Sequence, residues 1–382
     1  MWRSAFLHMN RALYGAARPL IFRSSAQTAH ERVLRLLRWA DGRRAVQQVL
    51  GAAHGLAFDA QPVTVGGVTL SSPLILAAGF VKGDGFASES DALAAVQSGR
   101  NIIPGWRSVP RLVGAVEFGS YTRWPRLGNP GVVVWRDVPT RSTQNRVGLR
   151  NPGAAAAAEF LLTHADELPP EYGINIAVSP GVDDPAQQRA EVTQALAAFV
   201  ERGVSPAWYA LNLSCPNTED DPHGHQTANQ ARDLCGAAVD ALGDVPLWVK
   251  ISPGLGAAQY QGLMAAFDAV GVRAVIATNT LGQAAPDGSG QMAGVGGGRL
   301  HTHALETART LVEVKAAHGY NVDVIGCGGV QDAATLRAFT DLGVPAVQYW
   351  STLIYRGPLA AALILHDMAR TTYSTRNTAR TT

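Results

Sequence analysis

Cysteines and charged side chains are scarce in this sequence. Its 382 residues include three cysteines, at positions 215, 235 and 327, with no CxxC spacing, and only 16% of residues are charged. An odd cysteine count without paired spacing argues against a disulfide framework or a zinc cluster and favours a reducing compartment. Because 47% of residues are hydrophobic, we expect a folded globular protein with a full-sized core and no metal site.

Long apolar runs are also missing. No stretch of eighteen apolar residues occurs, so we expect no segment to span a bilayer. The first residues lack the compact apolar core and small-residue cleavage site of a signal peptide. An arginine-rich organellar transit peptide, covering the first dozen or so residues, stays open as an alternative.

Positive charge is concentrated at the N-terminus. Residues 1–50 hold nine arginines against Glu31 and Asp41, a local net charge of +7, whereas the whole chain carries +2. These arginines alternate with apolar residues at helical spacing, which favours contact with a membrane surface over nucleic acid binding.

The same region predicts a pair of amphipathic helices within an N-terminal unit of residues 1–58. The first helix should cover residues 5–17 and break near Pro19. The second, over residues 27–40, should carry an apolar stripe formed by Ala29, Val33, Leu36, Leu37 and Ala40. The alternative is that this pair simply covers one end of the following domain.

From about residue 60 the sequence alternates between short apolar runs and Ala-rich helical stretches. Eight runs predict strands: residues 74–79, 115–119, 174–178, 209–214, 247–252, 274–280, 324–328 and 346–351. Helical stretches between them include 187–202, 227–242, 257–270, 303–318 and 331–342. Strands that are apolar throughout indicate a parallel sheet covered on both faces, so we predict a (β/α)₈ TIM barrel over residues 59–382. A doubly wound sheet is the alternative, but its early GxGxxG turn is missing.

Polar and small residues follow the predicted strands, where a barrel places its active site. The richest strand end is residues 211–218, where Asn212, Ser214, Cys215 and Asn217 crowd together. Two amides, a hydroxyl and a thiol suit a site that grips a small polar ring and moves a proton. Taken singly, each asparagine is more often a turn or cap residue, and the cysteine a core residue.

The other strand ends suggest a flavin mononucleotide site. Glycines and hydroxyls after the last two strands, such as Gly329 and Ser351, are typical of phosphate binding in this architecture. Residues 77–79 are small enough for a flat ring to lie against the backbone, and Lys250 could stabilise negative charge on a reduced ring.

At this point the sequence resembles the dihydroorotate dehydrogenase family. The motifs that carry the resemblance are Ala77-Ala78-Gly79 with Lys82, Gly128-Asn129-Pro130, Asn145-Arg146-Val147-Gly148-Leu149, Gly173-Ile174-Asn175, Asn212-Leu213-Ser214-Cys215-Pro216-Asn217-Thr218, Val249-Lys250-Ile251, Ala277-Thr278-Asn279-Thr280, Ile325-Gly326-Cys327-Gly328-Gly329 and Gly357-Pro358. The N-terminal helices, with Arg18-Pro19-Leu20 and Ala29-His30-Glu31, are similar to the extension of class 2, the quinone-linked branch.

The resemblance implies a set of site residues. It implies FMN contacts at Ala78, Gly79, Ser120, Asn175, Asn212, Lys250, Thr278, Gly298, Gly329, Ser351 and Thr352. It implies substrate contacts at Lys82, Asn145, Asn212, Asn217, Asn279 and Thr280. By the same likeness Cys215 is the catalytic base, which removes the C5 proton of dihydroorotate while hydride leaves C6 for flavin N5.

The resemblance also implies partners and a location. Electrons would pass to a membrane quinone, with peripheral membrane contact through the N-terminal helices and no nucleic acid partner. The location would be the cytoplasmic face, or the mitochondrial inner membrane if the N-terminus is a transit peptide.

The sequence departs from the class 2 pattern at several positions. Class 2 enzymes usually have serine where this chain has Cys215, which is the class 1 residue, and Trp350 replaces a smaller aromatic residue. An enzyme that uses a soluble acceptor such as fumarate or NAD, or another dihydropyrimidine, therefore stays an alternative. A barrel without catalysis that serves as a scaffold is the second.

Overall fold

A computed structural model describes residues 2–213 and 228–378, with side chains described as far as residue 370. Its strands are β1 (Val63–Val65), β2 (Val68–Leu70), β3 (Leu74–Leu76), β4 (Val116–Tyr121), β5 (Val134–Asp137), β6 (Ser142–Asn145), β7 (Tyr172–Ala177), β8 (Trp208–Asn212), β9 (Leu247–Ile251), β10 (Ala274–Ala277), β11 (Leu281–Ala284), β12 (Met292–Gly297), β13 (Asp323–Cys327) and β14 (Ala346–Tyr349).

Its α-helices are α1 (Trp2–Phe22), α2 (Ala26–Asp41), α3 (Arg44–Ala57), α4 (Glu89–Gln97), α5 (Pro110–Val113), α6 (Ala154–Thr163), α7 (Pro185–Val200), α8 (Ala228–Leu242), α9 (Ala257–Val270), α10 (Gly298–His318), α11 (Ala333–Thr340), α12 (Thr352–Arg356) and α13 (Ala360–Thr378). A 3₁₀ turn covers Ala165–Glu167.

A closed barrel of eight parallel strands forms the centre of the molecule. The strand order is β3, β4, β7, β8, β9, β10, β13 and β14, and β14 pairs again with β3. These are the eight runs that the sequence marks as strands, because a strand buried on both faces is apolar along its whole length. The predicted TIM barrel is therefore confirmed, and the closure excludes a doubly wound sheet.

The amino-terminal end of the barrel is blocked by aromatic side chains and by the β1–β2 hairpin. Trp208 and Trp248 stack inside the barrel with ring centroids 4.4 Å apart. The Trp248 indole Nε1 donates a 3.0 Å hydrogen bond to the carbonyl of Gly66 in the hairpin turn. Since this end is filled, the carboxyl ends of the strands are the side on which a cavity can open.

The N-terminal helices differ in detail from the prediction. Helix α1 continues through Pro19 to Phe22, so the expected break is wrong. Pro19 has no N–H to donate to the Gly15 carbonyl, but it lies only three residues before the helix end, so less than one turn of helix follows it. Helix α3 was not predicted at all.

Only part of the predicted apolar stripe on α2 faces the protein. Leu37 and Ala40 are buried, whereas Leu36 is 60% exposed and Val33 is 39% exposed. The neighbouring Trp39 is 50% exposed. Helix α2 therefore packs on the barrel along one edge and leaves a second apolar edge uncovered.

A four-stranded antiparallel sheet, which the sequence did not reveal, lies at the carboxyl end of the barrel. Its strand order is β11, β12, β6 and β5. Strand β6 pairs with two strands that are far apart in sequence. Asn145 on β6 lies opposite Val134 on β5 and opposite Gly294 on β12. This sheet forms one wall of the space above the barrel.

Candidate active site

A cavity opens at the carboxyl ends of the barrel strands. Its empty volume is about 1290 Å³, including the space at its open mouth. Its walls include the following residues expected from the sequence: Ala78, Gly79, Lys82, Ser120, Asn145, Asn175, Asn212, Lys250, Thr278, Asn279, Thr280, Gly329, Ser351 and Thr352.

One end of the cavity is built from glycines and hydroxyls. The Ser351 and Thr143 hydroxyl oxygens lie 2.7 Å apart, and Thr352 donates from its hydroxyl to the carbonyl of Val330. Gly329 has φ +68°, and a Cβ there would lie 2.5 Å from that of His301. A side chain at this position would therefore not fit, because the backbone at Gly329 packs directly against the start of α10.

Glycines and two helix N-termini surround this end of the cavity. Gly298 begins helix α10 and does not line the cavity, whereas its neighbours Gly296 and Gly297 do. The helix that follows Ser351 has only five residues, so it has little dipole to offer. The 21-residue α10 is the longer helix whose N-terminus lies at this end.

A buried polar network lies at the centre of the cavity floor. Lys250 is 7% exposed, and its Nζ donates a 3.0 Å hydrogen bond to Gln348 Oε1. Gln348 Nε2 in turn donates to Glu117 Oε2 at 3.0 Å. Glu117 and Gln348 are both fully buried, so these three side chains fix one another's positions.

Asn175, on β7, belongs to the same network. Its Nδ2 donates a 2.9 Å hydrogen bond to Glu117 Oε1. Within the part of the chain that the structure describes, its buried Oδ1 meets no donor. A buried amide oxygen without a partner is costly, so this atom is the natural acceptor for a ligand that enters the cavity.

A cluster of amides and hydroxyls follows β8 and β10. Asn279 Nδ2 donates a 3.1 Å hydrogen bond to Asn212 Oδ1, and Asn279 Oδ1 accepts from the Thr280 backbone amide at 2.9 Å. Asn145 on β6 and Lys82 after β3 line the same cavity. The structure therefore brings together five of the residues expected to hold a substrate.

Two predicted residues cannot be placed. Cys215, the expected base, and Asn217, an expected substrate ligand, lie outside the described residues. The other two cysteines are buried. Burial raises the pKa of both the Cys235 and the Cys327 thiols, although the Lys250 charge partly offsets this at Cys327. Neither thiol is suited to act as a base near neutral pH.

Sequence reasoning assigned no role to several residues of this site. Glu117 is the only charged residue of β4, and Gln348 is the only amide residue of β14. A single such polar residue within a buried strand was the feature of the sequence that could have identified each of them. His30 on α2 also lines the cavity and lies edge-on to Phe80, which in turn contacts Trp350. Burial, with the positive charges of Lys82 and Arg150, lowers the pKa of His30 to about 4. Helix α2 thus contributes a neutral imidazole to the cavity wall.

Comparison with known proteins identifies the family. The family profile described as dihydroorotate dehydrogenase matches residues 61–371. This chain belongs to the dihydroorotate dehydrogenase family. Relatives named dihydroorotate dehydrogenase (quinone) include one from Chloroflexus aurantiacus, 29% identical over 90% of this chain and 92% of the relative. Another, from Azoarcus sp., is 30% identical over 91% of this chain and 95% of the relative.

Solved structures share the fold of this dihydroorotate dehydrogenase family member. DHODH from Eimeria tenella in complex with ferulenol superposes with a TM-score of 0.71 at 20% identity, covering 93% of this chain and 95% of that one. The ligand-free form from the same organism gives 0.70.

None of the described helices has an apolar stretch of sufficient length to span a lipid bilayer. Among the described residues, no group of three His, Cys, Asp or Glu side chains is placed to hold a metal ion.

Proposed function

We propose that this protein is a quinone-linked dihydroorotate dehydrogenase that uses FMN to oxidise dihydroorotate to orotate in pyrimidine biosynthesis. The observation that supports it best is the composition of one cavity. One end of the cavity consists of glycines and hydroxyl groups, its floor contains a buried lysine and amide side chains, and an asparagine cluster forms part of its wall. Those parts suit a phosphate, a flat ring and a second planar substrate respectively.

The residues present fit FMN. Gly329, Ser351 and Thr352 would hold the phosphate, and Lys250 with Asn175 would meet the ring. The Asn175 Oδ1 atom gives independent support, because it is buried at the cavity and accepts no hydrogen bond from the described residues, so a donor group of the flavin ring could satisfy it. When bound, FMN accepts a hydride at N5 and later gives up the electrons to the acceptor.

The substrate would bind between the flavin and the asparagine cluster. Lys82 would pair with its carboxylate, while Asn145, Asn212, Asn217, Asn279 and Thr280 would hold its ring by hydrogen bonds. Cys215 would take the proton from C5 as the hydride leaves C6, and a C5–C6 double bond then forms. Lys82 and the local amides would lower the pKa of that thiol enough for it to act.

Helices α1–α3, in residues 1–58, would form the part of the enzyme through which quinone approaches. Residues 59–382 would form the barrel that binds the flavin. Among the described residues, ten of the seventeen exposed large hydrophobic side chains lie on these helices: Trp2, Met9, Leu13, Leu20, Ile21, Val33, Leu36, Trp39, Val49 and Leu56. Exposed apolar groups beside arginines favour a peripheral position on a membrane. His30 extends this unit into the cavity wall, where a quinone could approach the flavin.

An anaerobic titration tests the proposal. Purified protein should be yellow, its flavin should bleach with dihydroorotate, and its colour should return with a short-chain quinone. Recovery with fumarate or NAD instead of quinone would favour a soluble acceptor, which the class 1 residue Cys215 makes the second candidate. Protein that neither contains nor takes up flavin would overturn the proposal and favour a scaffold.

Membrane contact needs its own test. Replacing Leu36 and Trp39 with serine should reduce cosedimentation with phospholipid vesicles, whereas Leu162→Ser, at an exposed apolar residue on α6, should not. Point variants are preferable to deletion of the helices, because α2 shares buried hydrogen bonds with the barrel. Equal vesicle binding by all variants would count against these helices as the contact surface.

A further inference from the structure

Glu117 is a buried carboxylate that the proposed mechanism does not use. It lies on β4 beneath the cavity, is fully inaccessible to solvent, and accepts three hydrogen bonds. Asn175 Nδ2 reaches its Oε1 at 2.9 Å, while Trp208 Nε1 and Gln348 Nε2 reach its Oε2 at 3.1 and 3.0 Å. Among the described residues, none of these three hydrogen-bond partners is charged, so the carboxylate is held there by neutral donors.

The carboxylate dictates the orientation of both amides. A carboxylate can only accept, so each amide must turn its NH₂ group toward Glu117. The carbonyl oxygen of Gln348 then faces away, and it accepts from Lys250 Nζ. The carbonyl oxygen of Asn175 is likewise left over, and it is the atom that has no donor within the described residues.

We propose that Glu117 is a positioning residue that fixes the polarity of the flavin-ring site. Through Gln348 it anchors the Lys250 ammonium, and through Asn175 it presents an acceptor rather than a donor to the ring. This inference rests on the proposed flavin function. It adds that the site is selective for a ring with an N–H group, and oxidised isoalloxazine has one such group, at N3.

The variant Glu117→Gln should reverse the orientation of the Asn175 amide. An amide at this position offers one acceptor and one donor, while its surroundings offer three donors. The indole of Trp208 cannot turn round, and Gln348 shares the same oxygen. Asn175 would therefore flip and direct its NH₂ group at the ring.

The test compares flavin binding and flavin potential in the apoprotein reconstituted with FMN or N3-methyl FMN. Wild-type protein should bind FMN about tenfold more tightly than the N3-methyl form, the value of one hydrogen bond. Glu117→Gln should bind FMN about tenfold more weakly and should lose the discrimination. Its flavin midpoint potential should rise, because a negative charge beneath the anionic reduced ring has gone.

The double variant Glu117→Gln/Asn175→Asp should restore tight binding, discrimination and the lower potential. In this double variant the new amide at position 117 can donate to one oxygen of the new carboxylate at position 175. The other oxygen of that carboxylate is again a hydrogen-bond acceptor for the flavin ring. Glu171→Gln, where a surface carboxylate accepts from Ser71, is the matched control and should behave as wild type.

Wild-type discrimination and potential retained in folded Glu117→Gln would overturn the inference, while absence of flavin from the wild type would instead overturn the proposed function. If Glu117→Gln does not fold, Gln348→Met decides. It should shift the potential and leave the FMN to N3-methyl FMN affinity ratio unchanged. An unchanged potential there would also overturn the inference.

Discussion

Arg38 on α2 donates two 2.8 Å hydrogen bonds to Asp84, one to each carboxylate oxygen. Asp84, 9% exposed at its side chain, also accepts from Arg100 at 2.8 Å. This pairing connects the N-terminal helices to the loop that follows Lys82. Lys82, which lines the cavity, and helix α2, which contributes His30 to the cavity wall, are therefore held in place by the same short segment.

Replacing Asp84 with asparagine should loosen α2. The substitution removes a largely buried charge shared by several arginines, and we expect a loss of about 2 kcal/mol in unfolding free energy. Quinone reduction should fall more than reduction of a soluble dye, because the dye does not need α2. Asp59→Asn, which affects an exposed pair with Arg3, should change neither quantity measurably. An equal fall in both activities would contradict a specific role in docking α2.

Gly329→Ala should abolish flavin binding. Its φ of +68° strains an alanine, and the added Cβ would lie 2.8 Å from the Gly297 carbonyl oxygen at the glycine and hydroxyl end of the cavity. Gly243→Ala is a matched control, since it has φ +58° but, apart from its chain neighbours, no atom of the described residues lies within 4 Å of the added Cβ. That control should lose only about 1–2 kcal/mol of stability and keep its flavin. Flavin content measured by absorbance after purification separates the two outcomes.

Cys215→Ala should leave a folded, yellow protein whose flavin no longer bleaches with dihydroorotate. Cys215→Ser should retain slow reduction that rises with pH over a more alkaline range, because a hydroxyl ionises less readily than a thiol. The buried Cys235 offers the control, and Cys235→Ala should reduce its flavin normally. Stopped-flow rates of flavin bleaching provide the measurement, and normal rates in Cys215→Ala would remove Cys215 as the base.

His30 should make stability sensitive to mild acid. Its folded-state pKa of about 4 lies below the usual value of 6.5, so the unfolded chain binds more protons between these values. Stability is then lost as pH falls from about 7 toward 4, and the loss between pH 7 and 5 should be about 2 kcal/mol. His30→Gln should lack this component in urea unfolding, whereas the exposed His318→Gln should keep it.

The barrel was predictable because its evidence is local. Each strand, such as Ala274–Ala277, is an apolar run whose burial on both faces is encoded in the run itself. The antiparallel sheet was not predictable in this way. Strand β12 contains the glycine-rich run at Gly294–Gly297, and β6 reads Ser-Thr-Gln-Asn, so neither has strand-like composition. Their pairing exists only because the barrel brings distant parts of the chain together.

The site was predictable where the chemistry lies at strand ends and hidden where it lies inside the barrel. Lys82 and Lys250 could be singled out because each lies at or just after the carboxyl end of a predicted strand. Glu117 could not be interpreted from sequence, since its function depends on Asn175 and Gln348, which come from other strands. His30 belongs to a helix whose approach to the cavity is set by tertiary packing rather than by its own sequence.

The turn between α1 and α2 is held by residues at and just before β5, in addition to its own local hydrogen bonds. Gln27 accepts from the Val133 amide at 2.9 Å, and Arg136 donates to the Ser24 carbonyl and lies 4.3 Å over the Phe22 ring. The N-terminal helices and the segment around β5 therefore form one structural unit, although they are far apart in sequence. A chimera that takes the N-terminal helices from another family member would also need that member's residues at 131–137, or its new helices would meet an unmatched edge.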